Sequence, residues 1–132
     1  MVPYILDTDW IINALAGKHH ATAVIGRLAP QGLAVSVITL GEIYEGAFKY
    51  ANPQAHLTAF RQFLAPFRLL GLDDSIMERF AEIRADLRRR GQLLADFDIL
   101  LGATALQHNL TLLTHNVEHF KRIPNLQLYQ AH

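Results

Sequence analysis

"VPYILDTD", residues 2–9, is a short apolar run that stops abruptly in acid. Residues 2–6 read as a buried strand, and Asp7 closes it. Three further apolar stretches carry a polar group in a comparable place: Glu42 in "VSVITLGEIYEGA", Asp98 in "ADFDILLGATAL" and Asn116 in "LTLLTHN". If the apolar runs are parallel strands, such residues converge on one crevice, because ligand sites in open α/β sheets lie beyond the carboxyl ends of the strands. The first stretch therefore sets the expectation for the whole chain: strands feeding helices, with polar groups at the hand-over points.

The rest of the chain fits that pattern. "DTDWIINALAG" opens a helix with Thr8 or Asp9 as cap and Gly17 as stop, and "ATAVIGRLA" forms a second one before "PQG". "LAVSVIT" is β-branched and apolar and reads as the second strand. "LGEIYEGAFKYA" is helical up to "NP", since the residue before proline disfavours α geometry. "QAHLTAFRQFLAPF" places Leu57, Phe60 and Leu64 on one helical face, and "RLLGL" is a third strand. From Asp74 to Arg90 the helical period is strongest, with Ile76, Phe80, Ile83 and Leu87 in register and Gly91 at the end. "DFDILLGATALQHN" is a helix apolar nearly all round, hence buried; "LTLLT" is a fourth strand, "NVEHFKR" one or two helical turns, and "LQLY" an edge strand. Strands alternating with helices predict an α/β fold with a parallel sheet covered on both faces.

Composition sets the outer limits. With 132 residues the chain is a single domain, 1–132, large enough for a real core. A hydrophobic share of 51% and a charged share of 18% describe a compact globule rather than a disordered chain. No apolar run approaches the ~18 residues of a membrane span, and "MVPYIL" lacks the basic start of a signal peptide, so no membrane association is expected. The chain has no cysteine, which removes disulfides and thiolate zinc sites and permits a reducing, cytoplasmic setting. Twelve basic residues balance twelve acidic ones, and the distribution is more informative than the sum. Arg84, Arg88, Arg89, Arg90 and the pair Lys121–Arg122 form basic clusters, while Asp7, Asp9, Glu42, Glu45, Asp96 and Asp98 lie in or beside the expected crevice. Acid in a pocket with base around it suits a polyanion held near a metal; the plainer reading makes the arginines a solvated helix face.

Each site residue also has a structural excuse. Thr39 and Glu42 form T-x-x-E, a capping box. Asp96 and Asp98 can cap and charge the start of their helix, and Asn116 can be an N-cap before "VEHF". Asp7 is the hardest to excuse, because a carboxylate directly after a buried strand, with Asp9 beside it, adds repulsion without an obvious counter-charge. The joint occurrence of all four favours a site. A carboxylate pocket without a cation calls for Mg²⁺ or Mn²⁺, held by Asp7 and Asp98, which polarises a phosphodiester and acidifies water. Glu42 then binds metal through water or orients the nucleophile. Thr114 and Asn116 are neutral oxygen donors for supporting roles, and Asp9, Glu45 and Asp96 are secondary candidates that raise the local negative field.

Taken in order and spacing, "YILDTDWIINAL", "VSVITLGEIYEGA", "DFDILLGATAL" and "LLTHNVEHFKRIPNLQL" resemble the PIN-domain proteins, most closely the VapC-type toxins of bacterial toxin–antitoxin pairs. The similarity runs from Tyr4 to Leu128. It implies a three-layer α/β/α sandwich around about five parallel strands, and an endoribonuclease dependent on Mg²⁺ or Mn²⁺. It assigns the acidic site to Asp7, Glu42 and Asp98, with Asn116 at the family's fourth, often acidic, position. It further implies an RNA substrate such as tRNA, a homodimer, and a cognate VapB-like antitoxin that folds on the toxin and pushes a basic side chain into the pocket. The amide of Asn116 supplies no negative charge for a second metal, and Asp9, standing where the family frequently has Asn, partly offsets that loss.

Other readings compete. "DTD" fits the D-x-D of haloacid-dehalogenase-type phosphatases, in which one aspartate is a covalent nucleophile, but Ile11 stands where that pattern has Thr or Val. A PIN-fold binding module without useful activity is the alternative from outside enzymology. His115 and His119, four apart, have a spacing that can hold zinc, though no third ligand accompanies them. Trp10, the single tryptophan, could stack on a base or pack inside, and Tyr44, Phe48 and Tyr50 suit a partner surface or the core.

Overall fold

The computed structural model describes residues 3–130. Strand β1 (Tyr4–Leu6) leads into α1 (Thr8–Leu15) and α2 (His19–Leu28), and a 3-10 turn at Ala29–Gln31 precedes β2 (Leu33–Ser36). Then come α3 (Val37–Ala47), α4 (Pro53–Leu64), β3 (Arg68–Leu70), α5 (Asp74–Arg89), α6 (Asp96–Gln107), β4 (Thr111–Leu113) and α7 (Val117–Phe120). The strand expected over residues 2–6 is found over Tyr4–Leu6; Val2 lies outside the described residues.

All strand pairs are parallel, in the order β3-β2-β1-β4. The expected edge strand "LQLY" contributes a single bridge, Leu112 to Leu128, closed by Leu112 N–H to the Gln127 carbonyl and Tyr129 N–H to the Leu112 carbonyl, both 2.9 Å. Among the described residues the sheet thus has four strands, and its fifth member is reduced to that bridge on the outer side of β4.

The pleat sends neighbouring residues to opposite faces. Ile5, Ala34 and Leu112 pack into one core with Ile76, Ile83 and Leu87 of α5 and Ile99, Leu101 and Ala103 of α6. Leu6, Leu33, Val35 and Leu113 pack into a second core with Trp10 and Ile11 of α1, Val24 and Ile25 of α2, and Ile43 of α3. Two cores, one on each face, make the expected three-layer sandwich. Helix α6 is buried without interruption from Ile99 to Ala105, as its all-round apolar sequence predicts.

Three local expectations are corrected. The second strand does not extend through Val37–Thr39: the Ser36 hydroxyl accepts the Ile38 N–H at 3.1 Å and starts α3 there, so N-capping overrides the β-branched run. Thr39 consequently lies inside the helix, fully buried, with its hydroxyl unpaired among the described residues, and no capping box forms with Glu42. In α1 the cap is neither Thr8 nor Asp9 but Asp7, whose carboxylate accepts the Thr8 N–H at 2.7 Å. Helix α1 ends as expected at Gly17, with φ +75°, and the N–H groups of Gly17 and Lys18 reach back to Ala14 and Asn13.

The order reverses at β1, which continues to β2 on one side and receives β4 on the other. That is a topological switch point, and the loops after the carboxyl ends of β1 and β4 carry Asp7 and Thr114.

Candidate active site

Asp7 follows β1 directly, and its own N–H continues the sheet pairing to the Leu113 carbonyl at 2.9 Å. The backbone therefore fixes the carboxylate rigidly at the sheet edge, buried to 9% exposure. One oxygen accepts the Thr8 N–H, and the other accepts the Thr114 hydroxyl at 2.8 Å. These bonds favour the charged form, yet burial outweighs them and, with Asp9 and Asp98 nearby, raises the carboxyl from its ordinary 3.8 to about 6. Asp98, in the first turn of α6, is half-buried, and desolvation raises its carboxyl too; His119 opposes that rise and Asp9 adds to it. The three aspartates thus feel one another's charge, although they come from β1, α1 and α6.

Glu42 joins the group through α1. The Thr8 hydroxyl donates to its carboxylate at 2.8 Å, so the residue following Asp7 anchors the acid from α3. With the capping box absent, Glu42 has no helix-terminal duty, and its polar partner is this one hydroxyl from the crevice wall. Asp9 is held by two main-chain donors, Trp10 N–H at 2.7 Å and His115 N–H at 2.9 Å, and this ties α1 to the loop after β4. Asn116 occupies the N-cap position of α7, but its side chain makes no capping bond. Its N–H donates to Thr114 Oγ1 at 3.0 Å, and its amide meets His119 Nδ1 at 2.7 Å. Thr114 therefore links Asn116 to Asp7 through one hydroxyl.

Two secondary candidates are not brought in. Asp96 turns outward to Arg84, 2.8 Å away, and Glu45 is exposed on α3. The basic clusters are likewise largely matched locally: Arg84 with Asp96, Arg89 and Arg90 with Asp86, and Lys121 with Glu118. That is the solvated-face reading rather than a bare polyanion track. The zinc reading fails as well, because the two imidazoles have separate surroundings: His115 lies against Trp10 and Asp9, His119 against Asn116. Sequence reasoning missed Thr8 as the anchor of Glu42 and His119 as a neighbour of Asp98. Spacing along the chain carries no signal for either contact.

The chemistry of the donors fits a hard divalent cation. Asp7, Asp98 and Glu42 offer oxygen only, and among the described residues none of them has a Lys or Arg partner. No three acidic or imidazole side chains among the described residues form a ready cage. An ion such as Mg²⁺, which keeps several waters and uses one or two carboxylates, needs no such cage. Among the described residues no helix is long and apolar enough to cross a membrane.

Known proteins carry the same sequence pattern and fold. The PIN domain family model matches residues 4–126. Ribonuclease VapC2 of Rickettsia felis is 30% identical over 128 residues, covering 95% of each chain. The tRNA(fMet)-specific endonuclease VapC of Salmonella typhimurium is 27% identical over 128 residues, with 97% of each covered. In the crystal structure of VapBC2 from Rickettsia felis bound to a promoter DNA fragment, one chain superposes with a TM-score of 0.91 at 27% identity, covering all of both chains. VapBC-1 from nontypeable Haemophilus influenzae gives 0.88 at 28%, covering 98% of each. With the family match spanning nearly all described residues and the fold agreeing over the whole chain, this protein belongs to the PIN-domain family and is of the VapC type.

Proposed function

We propose that this chain is the ribonuclease toxin of a VapBC-type pair and hydrolyses phosphodiester bonds in RNA with the help of Mg²⁺ or Mn²⁺. The observation that carries the reading is the convergence of Asp7, Asp9 and Asp98, with Glu42 anchored alongside, in a crevice where burial lifts two carboxyls above their ordinary range. A scaffold alone gains nothing from charges that repel one another; a cation-dependent active site does. This weighs against the binding-module alternative.

Asp7 and Asp98 would hold the ion, which when bound supplies a Lewis acid for the phosphate and acidifies water. Glu42, held by Thr8, would orient a water and take its proton. Asp7 is itself oriented by Thr114 and Thr8, and Asn116, through its bond to the same Thr114 hydroxyl, keeps that donor aimed. Asn116 adds no charge, which suits a single tightly held ion. The substrate we favour is a translation-related RNA, tRNA first, the target named for the Salmonella relative.

Solved relatives are VapBC complexes, and we assign this chain a VapB-like antitoxin as partner. A cavity of about 340 Å³ between α1, α3 and α4, walled by Ile12, Leu15, Ile43, Tyr50 and Phe60, includes Glu42 and so runs up to the crevice. It offers an apolar bed from which an antitoxin side chain reaches the acids. The reading also carries a homodimer, measurable by light scattering against 14.9 kDa per chain.

The test is cleavage of total cellular RNA by antitoxin-free protein with Mg²⁺, Mn²⁺ or EDTA, beside Asp98→Asn. Discrete metal-dependent fragments that vanish in the variant are expected, and their ends identify the RNA. Metal-independent cleavage, or an active variant, would overturn the assignment.

A further inference from the structure

Beside the acidic crevice lies a second feature that phosphodiester hydrolysis does not use. The imidazole of His115, in the loop after β4, stacks flat on the indole of Trp10, with 4.7 Å between centroids and 7° between planes. Trp10 is 2% exposed, so it cannot receive a base itself, whereas the His115 side chain is 47% exposed. With one ring face covered by a buried indole, the exposed area of His115 belongs to its other face and its edge. Asp9 fixes the loop beside the ring: it accepts the main-chain N–H of His115 at 2.9 Å and lies 3.5 Å from the ring Nδ1. Trp10 in turn is fixed by packing, its indole N–H having no acceptor among the described residues and its ring meeting Tyr129 edge-on at 6.4 Å.

His115 and Trp10 share a cavity of about 320 Å³ with His20, Thr114, Tyr129 and Gln130. That volume is at the low end of the ~300–1,000 Å³ of small-molecule sites. Thr114 is also the residue that donates to Asp7, so the cavity opens next to the crevice. Its wall has flat rings and hydrogen-bonding edges, and the Asp9 carboxylate beside His115 makes it a poor place for a phosphate. A flat, neutral ring with polar edges fits it. Arg27 donates to the Tyr129 hydroxyl, so a cation stands beside one wall residue of the cavity.

We propose that this cavity is a nucleobase subsite, in which the free face of His115, backed by Trp10, stacks on the base of a nucleotide flanking the bond cut at the acidic crevice. Stacking on a ring is tolerant of sequence, and the edges of His20 and Gln130 then set the preference among bases. The identification of the ligand as RNA rests on the ribonuclease reading; the subsite itself does not.

The experiment uses the full chain, free of antitoxin, titrated with each of the four ribonucleoside 5′-monophosphates while the fluorescence of Trp10, the single tryptophan, is followed. Ribose 5-phosphate serves as the base-free control, and calorimetry repeats the series without relying on Trp10. Saturable binding of at least one nucleotide is expected, weakened roughly tenfold or more in His115→Ala and restored in His115→Phe, which keeps a flat ring. Equal binding of ribose 5-phosphate, equal affinity in His115→Ala, or no binding of any nucleotide would each overturn the subsite. Asp98→Asn separates the two readings, because it should lose cleavage and keep the nucleotide. A chain that binds nucleotides through His115 yet cleaves no RNA keeps the subsite and loses the ribonuclease.

Discussion

Carboxylates on the outer faces of α5, α6 and α7 and those at the strand ends live under opposite electrostatic rules. Asp86 meets Arg90 at 2.8 Å, Asp96 meets Arg84 at 2.8 Å, and Glu118 meets Lys121 at 2.6 Å. The Lys121 hydrogen bond holds the Glu118 carboxyl below its usual range. At the crevice Asp7 and Asp98 have no such base and are raised by burial and by their neighbours. The chain has cations enough, twelve Lys and Arg for twelve Asp and Glu, yet among the described residues none pairs with Asp7 or Asp98. Matched pairs at the surface contribute little and cost little. Unmatched acids in a half-dry crevice cost stability, and that cost persists where an external cation or a reaction makes use of the charge.

The largest expected effect comes from removing an unmatched acid. Asp98→Asn should lower metal-dependent RNA cleavage by at least ~100-fold, since the charge stabilisation at stake is several kcal/mol. Asp7→Asn should do the same to cleavage while raising stability. An Asn caps a helix about as well as Asp, and the Thr114 hydroxyl can turn to accept from the amide. A carboxyl raised from 3.8 to about 6 keeps its proton longer in the folded protein than in the unfolded chain. Stability therefore falls as pH rises from about 4 to about 6, by roughly 3 kcal/mol in all, and stays lost above that. Denaturant titrations across this window should find wild type and Asp7→Asn nearly equal near pH 4 and separated by a few kcal/mol at pH 7. Millimolar Mg²⁺ should narrow the gap at pH 7 by stabilising the wild type alone. A gap that does not change with pH would mean that Asp7 is not the strained acid.

Glu42 tests the step between the two regimes, being unmatched by a base yet held by a hydroxyl. Glu42→Gln keeps an acceptor for Thr8 and should leave the fold intact, with cleavage reduced by roughly 10- to 100-fold. Thr8→Val leaves the acid and releases it; a smaller loss of cleavage, about tenfold, and a cost of ~1 kcal/mol in stability are expected. If Thr8→Val cleaves at the wild-type rate, the orientation of Glu42 is unimportant.

Most of this division is legible in the sequence. Apolar runs ending at Asp7 and near Thr114 mark the strand ends, and the uninterrupted apolar character of "ILLGATA" points to the buried α6. Three features are not. Ser36 stops β2 three residues earlier than the β-branched run suggests, because a local cap competes with strand propensity. The fifth strand shrinks to one bridge, since its pairing depends on how the chain returns after α7 rather than on the composition of "LQLY". Asp96 and Asp98 look alike in sequence, two residues apart at one helix start, yet they face different neighbours because successive helical residues point about 100° apart. Contacts across the fold, such as Thr8 to Glu42, carry no trace in local spacing.

That pair, Asp96 and Asp98, gives the smallest and sharpest contrast. Arg84→Ala breaks the Arg84–Asp96 bridge, whose side chains are 31% and 58% exposed. An ion pair so open to water should change stability by less than ~1 kcal/mol, and less again in high salt. RNA cleavage should stay near the wild-type rate, since neither partner reaches the crevice. Asp96→Asn should behave in the same way, two positions from a substitution expected to abolish activity. If instead Arg84→Ala or Asp96→Asn depresses cleavage at low salt and recovers with added Mg²⁺, the helix start acts as one electrostatic unit and the line between matched and unmatched acids has to be redrawn around α6.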